Sequence, residues 1–131
     1  VKNPETIATA IRIGNPASWE LALEARAATD GWFGAIDDER ILAAQKILAG
    51  EVGVFVEPAS AISVAGLLDR AEAGVIPTGS TVVLTVTGHG LKDPQWALRN
   101  ADGTEARPTV VDATTSEVAS VLGLARAGAT A

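Results

Sequence analysis

Cysteine is absent from this chain of 131 residues, and histidine occurs only once, at position 89. Without a thiol the chain has no disulfide, no zinc–thiolate site and no cysteine nucleophile. A single histidine also excludes a metal site built from several histidines. The sequence therefore predicts no metal site.

An excess of positive charge and long apolar runs are also missing. Ten basic residues face sixteen acidic ones, the net charge at pH 7 is −6, and the basic residues are scattered along the chain. No basic stripe is present to neutralise phosphates. No apolar run approaches the ~20 residues that cross a bilayer, and the amino terminus lacks a signal-peptide layout. We expect no nucleic-acid or membrane partner and a cytoplasmic location.

What is present is the composition of an ordinary globular chain, with 47% hydrophobic and 20% charged residues. The length fits one domain of the usual ~100–200 residues. The chain begins with Val1 rather than Met and passes almost at once into helix-like sequence. We interpret this start as that of a fragment or a cleaved product; an expression tag or a preceding segment is equally compatible with it.

Strand-like and helix-like patterns alternate along the chain. Short apolar runs rich in β-branched or aromatic residues predict strands at 32–36, 52–56 and 81–87. Helix-start signals occur at Pro4, Asn15-Pro16, Asp37-Asp38, Pro58 and Asp93-Pro94. The fourth helix is small or apolar on all sides, which predicts complete burial. This alternation indicates an α/β fold with a parallel sheet over residues 1–99. Residues 100–131 are predicted to form a carboxyl-terminal extension with a short strand at 109–111, a capped helix after Thr114 and a frayed end.

Two polar side chains follow predicted strands. Thr87 ends the apolar run 81–87 and precedes Gly88, and Glu57 directly follows the run 54–56. Because the carboxyl ends of parallel strands meet at the sheet edge where α/β proteins bind ligands, both are candidate site residues. A purely structural role is open for each: Glu57 accepting bonds from backbone N–H groups at the helix start, and Thr87 bonding a neighbouring carbonyl.

Other chemistries have weaker support. A Ser-His-Asp triad would need Ser60 or Ser63 with His89, but the nucleophile-elbow motif is absent, and the position of His89 between two glycines favours a loop residue. Gly88-x-Gly90 lacks the third glycine of a dinucleotide fingerprint, and no Walker lysine follows a glycine-rich turn. Lys92 beside the capping Asp93 favours a solvated surface feature.

Three runs in one order carry a family resemblance: A-I-R-I-G-N-P at 10–16, E-P-A-S-A at 57–61 and T-G-H-G-L-K-D at 87–93. Together they resemble the threonine synthase family, pyridoxal-phosphate enzymes of the tryptophan-synthase-β class. The resemblance covers about residues 3–99. The E-P-A run is shared with related dehydratases, whereas the first and third runs point to threonine synthase.

The resemblance implies a three-layer αβα fold with a mainly parallel sheet, part of the large domain of a fold-type-II pyridoxal-phosphate enzyme. The implied reaction converts O-phosphohomoserine and water into threonine and phosphate. By the same resemblance, Thr87 meets the pyridine nitrogen of the cofactor and Gly88 lets the backbone pass close. Ala10 and Ile11 pack against the ring, and Glu57 lies near its edge.

Parts that the family needs are missing from this chain. None of Lys2, Lys46 and Lys92 lies in a context similar to that of the Schiff-base lysine, and the glycine-rich phosphate loop belongs to an upstream segment. We therefore expect a carboxyl-terminal fragment that is inactive alone, aggregates when isolated, and joins the remainder of the same enzyme chain in a homodimer. Two alternatives stay open: a stand-alone α/β binding or regulatory module without catalysis, and a threonine or serine dehydratase-like enzyme.

Overall fold

Five α-helices carry most of the regular structure in the computed structural model, which describes residues 1–99 and 104–124. Helices α1 to α5 span, in order, Trp19–Thr29, Asp38–Ile47, Pro58–Glu72, Pro94–Ala97 and Thr115–Val121. Short 3₁₀ turns lie at Thr9–Ile11 and Gly90–Lys92, and a π-helical turn at Leu48–Val52 extends α2.

The hydrophobic core lies between α2 and α3. Its buried members are Ile41, Ala44, Leu48, Val56, Ala61 and Ala65. The sequence spacing predicts that Ile41, Ala44 and Leu48 form the inner face of α2, and their burial confirms it. Helix α3 begins at Pro58 as predicted. The prediction that α3 is buried on all sides is wrong: its buried residues are Pro58, Ser60, Ala61 and Ala65, and Leu68 is 39% exposed, because α2 covers only part of the helix surface.

Polar contacts fix α2 and α3 in antiparallel orientation. Near the end of α2, Gln45 Nε2 donates to the carbonyl of Val56 at 2.7 Å, just before α3 begins. At the start of α2, Arg40 Nη1 lies 2.8 Å from Asp69 Oδ1 and 3.1 Å from Glu72 Oε2, at the end of α3. The hydrogen bond to Glu72, followed by the charges of Glu72 and Asp69, raises the pKa of Arg40. The guanidinium therefore remains charged.

The amino-terminal segment does not form the predicted helix and is instead bound to the start of α2. Asp38 accepts hydrogen bonds from the Thr6 hydroxyl at 2.6 Å and from the backbone N–H of Ile7 at 3.2 Å. Ala8 follows with non-helical angles (φ −77°, ψ 78°) and is fully buried. These contacts reduce the helix predicted from Pro4 to the single 3₁₀ turn at Thr9–Ile11.

Helix α1 starts three residues beyond Pro16, its predicted first residue. It begins at Trp19 and ends at Thr29, where Asp30 adopts a left-handed conformation (φ 51°) and its N–H donates to the carbonyl of Arg26. The turn signal Asp30-Gly31 predicts an end at about Thr29, and this prediction is confirmed. No residue of α1 is buried, and Trp19 is 51% exposed.

The predicted parallel sheet is not formed within the described ranges. Backbone pairing there is limited to two isolated antiparallel bridges, Val56–His89 and Arg99–Glu105. The predicted strand 52–56 loses its first residue to the π-helical turn, and 32–36, 81–87 and 109–111 are unpaired. A strand requires a neighbouring strand for its backbone hydrogen bonds, and these segments have none there. Val83, for example, is 87% exposed.

The carboxyl-terminal helix α5 follows its predicted cap. The Thr114 hydroxyl accepts from the backbone N–H of Glu117 at 3.2 Å, as a capping box requires. Part of the predicted linker, residues 100–103, and the predicted frayed end, 126–131, lie outside the described residues. Among the helices of 1–99 and 104–124, none has the length and apolar character to cross a membrane.

Candidate functional site

The segment from Thr87 to Lys92 lies directly against the start of α3. The backbone N–H of Glu57 donates to the carbonyl of Gly88 at 2.9 Å, and the N–H of Gly90 donates to the carbonyl of Phe55 at 3.2 Å. Two of the candidate residues from sequence, Glu57 and Gly88, are therefore neighbours. The two chain segments run antiparallel here, and not parallel as the sequence predicted.

Thr87 is held by its backbone, while its side chain faces outward. Its N–H donates to the Ser60 hydroxyl oxygen at 2.6 Å, and Ser60 is only 3% exposed. Thr87 itself is exposed, and its own hydroxyl makes no hydrogen bond with residues of the described ranges. The structural alternative, in which this hydroxyl bonds a neighbouring carbonyl, is thus not observed there.

Close packing explains both glycines of this turn. A Cβ on Gly88 would lie 1.7 Å from Glu57 Oε1, and one on Gly90 would lie 2.3 Å from the Phe55 ring. Neither glycine adopts a positive φ, so both are required by space and not by backbone angle. The side chain that occupies the space beside Gly88 is that of Glu57.

Glu57 is a buried carboxylate with an unusual environment. It is 5% exposed and precedes α3, but its side chain makes no capping hydrogen bond, so the capping interpretation is wrong. Its Oε1 lies 3.6 Å from Lys92 Nζ. Because the Lys92 side chain is 65% exposed, solvent screens this pair and its net contribution is small. The lysine nevertheless supplies the nearby positive charge that a buried carboxylate needs.

Ala10 and Ile11 lie on the 3₁₀ turn that is tied to the same region. Thr9 Oγ1 donates to Asp93 Oδ2 at 2.6 Å, which joins this turn to the end of the 87–93 segment. Both Ala10 and Ile11 are exposed. Asp93 is 4% exposed and makes no side-chain cap on α4, contrary to its predicted capping role.

The hypothetical Ser-His-Asp triad is not assembled in the part of the chain that the structure describes. His89 Nδ1 accepts from the N–H of Leu91 at 3.1 Å, and the imidazole packs edge-on against Phe55 with ring centroids 5.4 Å apart. The Ser60 hydroxyl accepts from Thr87, and the Ser63 hydroxyl donates to the carbonyl of Ser60. His89 is the hydrogen-bonded loop residue that its flanking glycines predicted.

Sequence reasoning missed three residues that build this region: Thr9, Ser60 and Lys92. By residue type Ser60 is a possible nucleophile and Lys92 a solvated surface charge, and neither interpretation predicts the contacts that they make here. One available signal was that Glu57, an acidic residue placed before an apolar helix, requires a nearby cation if it is buried. Lys92 is the lysine nearest in sequence to the other predicted site residues, Thr87 and Gly88.

Comparison with known proteins gives one family. Residues 1–88 match the family model described as pyridoxal-phosphate dependent enzyme. Threonine synthase from Mycobacterium leprae is 57% identical over 113 residues, covering 86% of this chain and 31% of the relative. Threonine synthases from Halalkalibacterium halodurans (55% over 102 residues; 78% and 29%) and Methanocaldococcus jannaschii (54% over 101; 77% and 25%) are similar. The chain thus spans less than a third of these relatives' length. Because the family model matches more than half of its residues, the chain belongs to the family of pyridoxal-phosphate dependent enzymes.

Proposed function

We propose that this chain is the carboxyl-terminal part of a threonine synthase, which converts O-phosphohomoserine and water into threonine and phosphate. The observation that carries the proposal is the 57% identity to a threonine synthase over 86% of the chain. The position of Thr87 adds chemical support. Its hydroxyl is exposed and unpaired within the described residues, on a backbone fixed by Ser60 and Glu57.

The residues present fit one edge of pyridoxal phosphate. A threonine hydroxyl can donate to or accept from a pyridine nitrogen, and the Thr87 hydroxyl is available for such a bond. When bound, the cofactor supplies an electron sink for the reaction, and the protein supplies binding and orientation. Glu57, beside Gly88, would lie near the ring edge, and Ala10 and Ile11 would offer apolar contact to it.

Thr87 would influence the protonation of the ring nitrogen. A carboxylate in this position would stabilise a protonated ring nitrogen by its charge, whereas a hydroxyl is neutral and cannot do so. Proton transfers in the reaction would therefore depend on other groups of the full site. The role of Thr87 would be to orient the ring by one hydrogen bond, and that of Gly88 to leave room for the Glu57 side chain.

The lysine that binds the cofactor covalently would come from outside this chain. Lys92 lies beside Glu57, and Lys2 and Lys46 are both exposed. We infer that the portion of the relatives that this chain does not span supplies that lysine and the phosphate-binding loop. The chain would contribute one wall of the site.

An apolar cleft supports docking of that remaining portion. The cleft has a volume of about 470 Å³ and lies between the outer face of α3 and the unpaired segments 32–36 and 82–84. Its apolar lining includes Trp32, Ile62, Leu67, Val82 and Leu84. Exposed apolar surface of this kind marks an interaction site. We propose that the rest of the catalytic domain covers this cleft. Strands of that portion would pair with the segments 32–36 and 82–84 and so complete the sheet of the three-layer αβα fold.

Several finer features belong to the same proposal. Residues 1–99 would be the carboxyl-terminal portion of the catalytic domain and 100–131 an extension of it. The full enzyme would be a cytoplasmic homodimer. Size-exclusion chromatography with light scattering of the full-length protein tests the dimer.

The deciding experiment uses the full-length protein that carries this chain. We expect a cofactor absorbance band, and release of phosphate and threonine from O-phosphohomoserine. Thr87→Ala should weaken cofactor binding about 10-fold, because the hydrogen bond between the Thr87 hydroxyl and the ring nitrogen is lost. The control variant Thr85→Ala, two residues away on the same exposed segment, should leave cofactor binding unchanged. A loaded protein that deaminates threonine but ignores O-phosphohomoserine would establish the dehydratase alternative. A protein that binds no cofactor would establish the non-catalytic module.

A further inference from the structure

One side chain, that of Ser60, holds the backbone of Thr87. The hydrogen bond from Thr87 N–H to Ser60 Oγ is 2.6 Å long and joins residues 27 positions apart. Ser60 is 3% exposed and lies in the first turn of α3, where its own N–H donates to the carbonyl of Glu57 at 3.0 Å. The acceptor oxygen is therefore fixed by the most strongly buried part of the helix.

The next residue is fixed by the same turn of helix. The carbonyl of Gly88 accepts from the N–H of Glu57 at 2.9 Å. Two consecutive residues of the loop are thus bound to the start of α3 by two hydrogen bonds of different kind. One involves the backbone N–H of Glu57, which only a proline at that position would remove, and the other involves the Ser60 hydroxyl. Within the described residues, that second bond is the one that holds the backbone N–H of Thr87.

We propose that Ser60 is a positioning residue for the cofactor, acting through Thr87. By holding the Thr87 N–H, it sets the direction in which the Thr87 hydroxyl meets the pyridine nitrogen. The proposal rests on the proposed function, since it requires the cofactor to lie against Thr87. Hydrogen bonds weaken steeply when the donor angle departs from linearity, so a rotation of the Thr87 backbone would weaken the bond to the ring.

A double-mutant cycle in the full-length protein tests this role. Ser60→Ala should raise the apparent dissociation constant of pyridoxal phosphate about 3- to 10-fold, the range expected for one hydrogen bond. It should also shift the absorbance and emission of the bound cofactor in the same direction as Thr87→Ala. In a Thr87→Ala background, where there is no hydroxyl to orient, Ser60→Ala should change the constant by less than about 2-fold.

Two further variants keep the cycle interpretable. Ser63→Ala removes another hydroxyl of α3, one that donates to the carbonyl of Ser60 and not to Thr87. This control variant should leave cofactor affinity and spectrum unchanged. If Ser60→Ala does not fold, Ser60→Cys replaces it, because a thiol nearly preserves the side-chain volume but accepts hydrogen bonds weakly.

The outcomes separate this inference from the proposed function. Equal effects of Ser60→Ala in the two backgrounds, or an unshifted cofactor spectrum, would overturn the positioning role while leaving the threonine synthase assignment intact. A loaded, active enzyme whose affinity is insensitive to Thr87→Ala would overturn the inference together with the role proposed for Thr87, while the threonine synthase assignment would stand. A full-length protein without cofactor would overturn both.

Discussion

Replacing Gly88 with alanine should expose the steric relation between the 87–93 segment and the start of α3. The added Cβ would lie 1.7 Å from Oε1, 2.2 Å from Cδ and 2.9 Å from Cγ of Glu57. Ordinary contacts of this kind exceed 3 Å, so the carboxylate would have to move by roughly 1.5 Å. Glu57 is 5% exposed and has little free space, so we expect the cost of overpacking, about 1–3 kcal/mol.

The assay is a second cycle, measured as the free energy of urea unfolding of the full-length protein. In a Glu57→Ala background the obstructing atoms are gone. Gly88→Ala should then be neutral or slightly stabilising, by up to about 1 kcal/mol, because alanine restricts the unfolded chain. The coupling between the two positions should therefore be about 1–4 kcal/mol. Gly50→Ala, where an added Cβ meets nothing within 4 Å, is the matched control and should show no loss.

Additivity of the two substitutions within about 0.5 kcal/mol would refute this account of Gly88. It would mean that the Glu57 side chain moves aside at no cost, and that glycine is needed at this position for another reason.

Three other perturbations test the packing of the helices. Ile41→Ala should lower the free energy of unfolding by about 2–5 kcal/mol, since Ile41 is 1% exposed in the core; Ile41→Val should cost only about 0.5–1.5 kcal/mol, and equal losses in urea unfolding would contradict this. Arg40→Gln should lower stability most at low salt, because its carboxylate partners are exposed, and a salt-independent loss would be inconsistent with ion pairing. Pairing raises the pKa of Arg40, so the stability that its ion pairs contribute is present below that pKa and is lost only in strong alkali. The difference in melting temperature between wild type and variant should therefore stay constant between about pH 6 and 9. Thr114→Ala should weaken α5 by about 0.5–2 kcal/mol and speed hydrogen exchange at the Glu117 amide, whose acceptor is lost, whereas unchanged exchange would contradict the cap.

The starts of α2, α3 and α5 and the inner face of α2 were predictable, because their signals are local. Asp37 accepts from the N–H of Arg40 at 2.8 Å, Pro58 opens α3, and Thr114 caps α5, each as the sequence pattern indicates. The helix predicted from Pro4 is shorter than its sequence pattern indicates, because a distant residue binds this segment. Asp38 accepts hydrogen bonds from Thr6 and Ile7, more than thirty residues away. Local patterns carry no information about such partners.

The predicted strands illustrate a different limit. Runs such as 81–87 have the composition of buried strands, but a strand forms only where a neighbour completes its hydrogen bonds. Within the described residues that neighbour is missing, and the apolar side chains remain exposed. Composition thus indicated the surroundings that these segments require, and not the pairing that this stretch of chain can provide.

Sequence alone determined the class of chain, the three runs that resemble the threonine synthase family, and the caps of α2 and α5, because each depends on neighbouring residues or on residue identity. Tertiary structure alone decided which groups meet at the candidate site. Ser60 holds Thr87, Lys92 faces Glu57, and Thr9 reaches Asp93 across 84 positions. These contacts exist because the packing of α2 against α3 fixes the start of α3, and the 87–93 segment and the amino-terminal turn then gather around it.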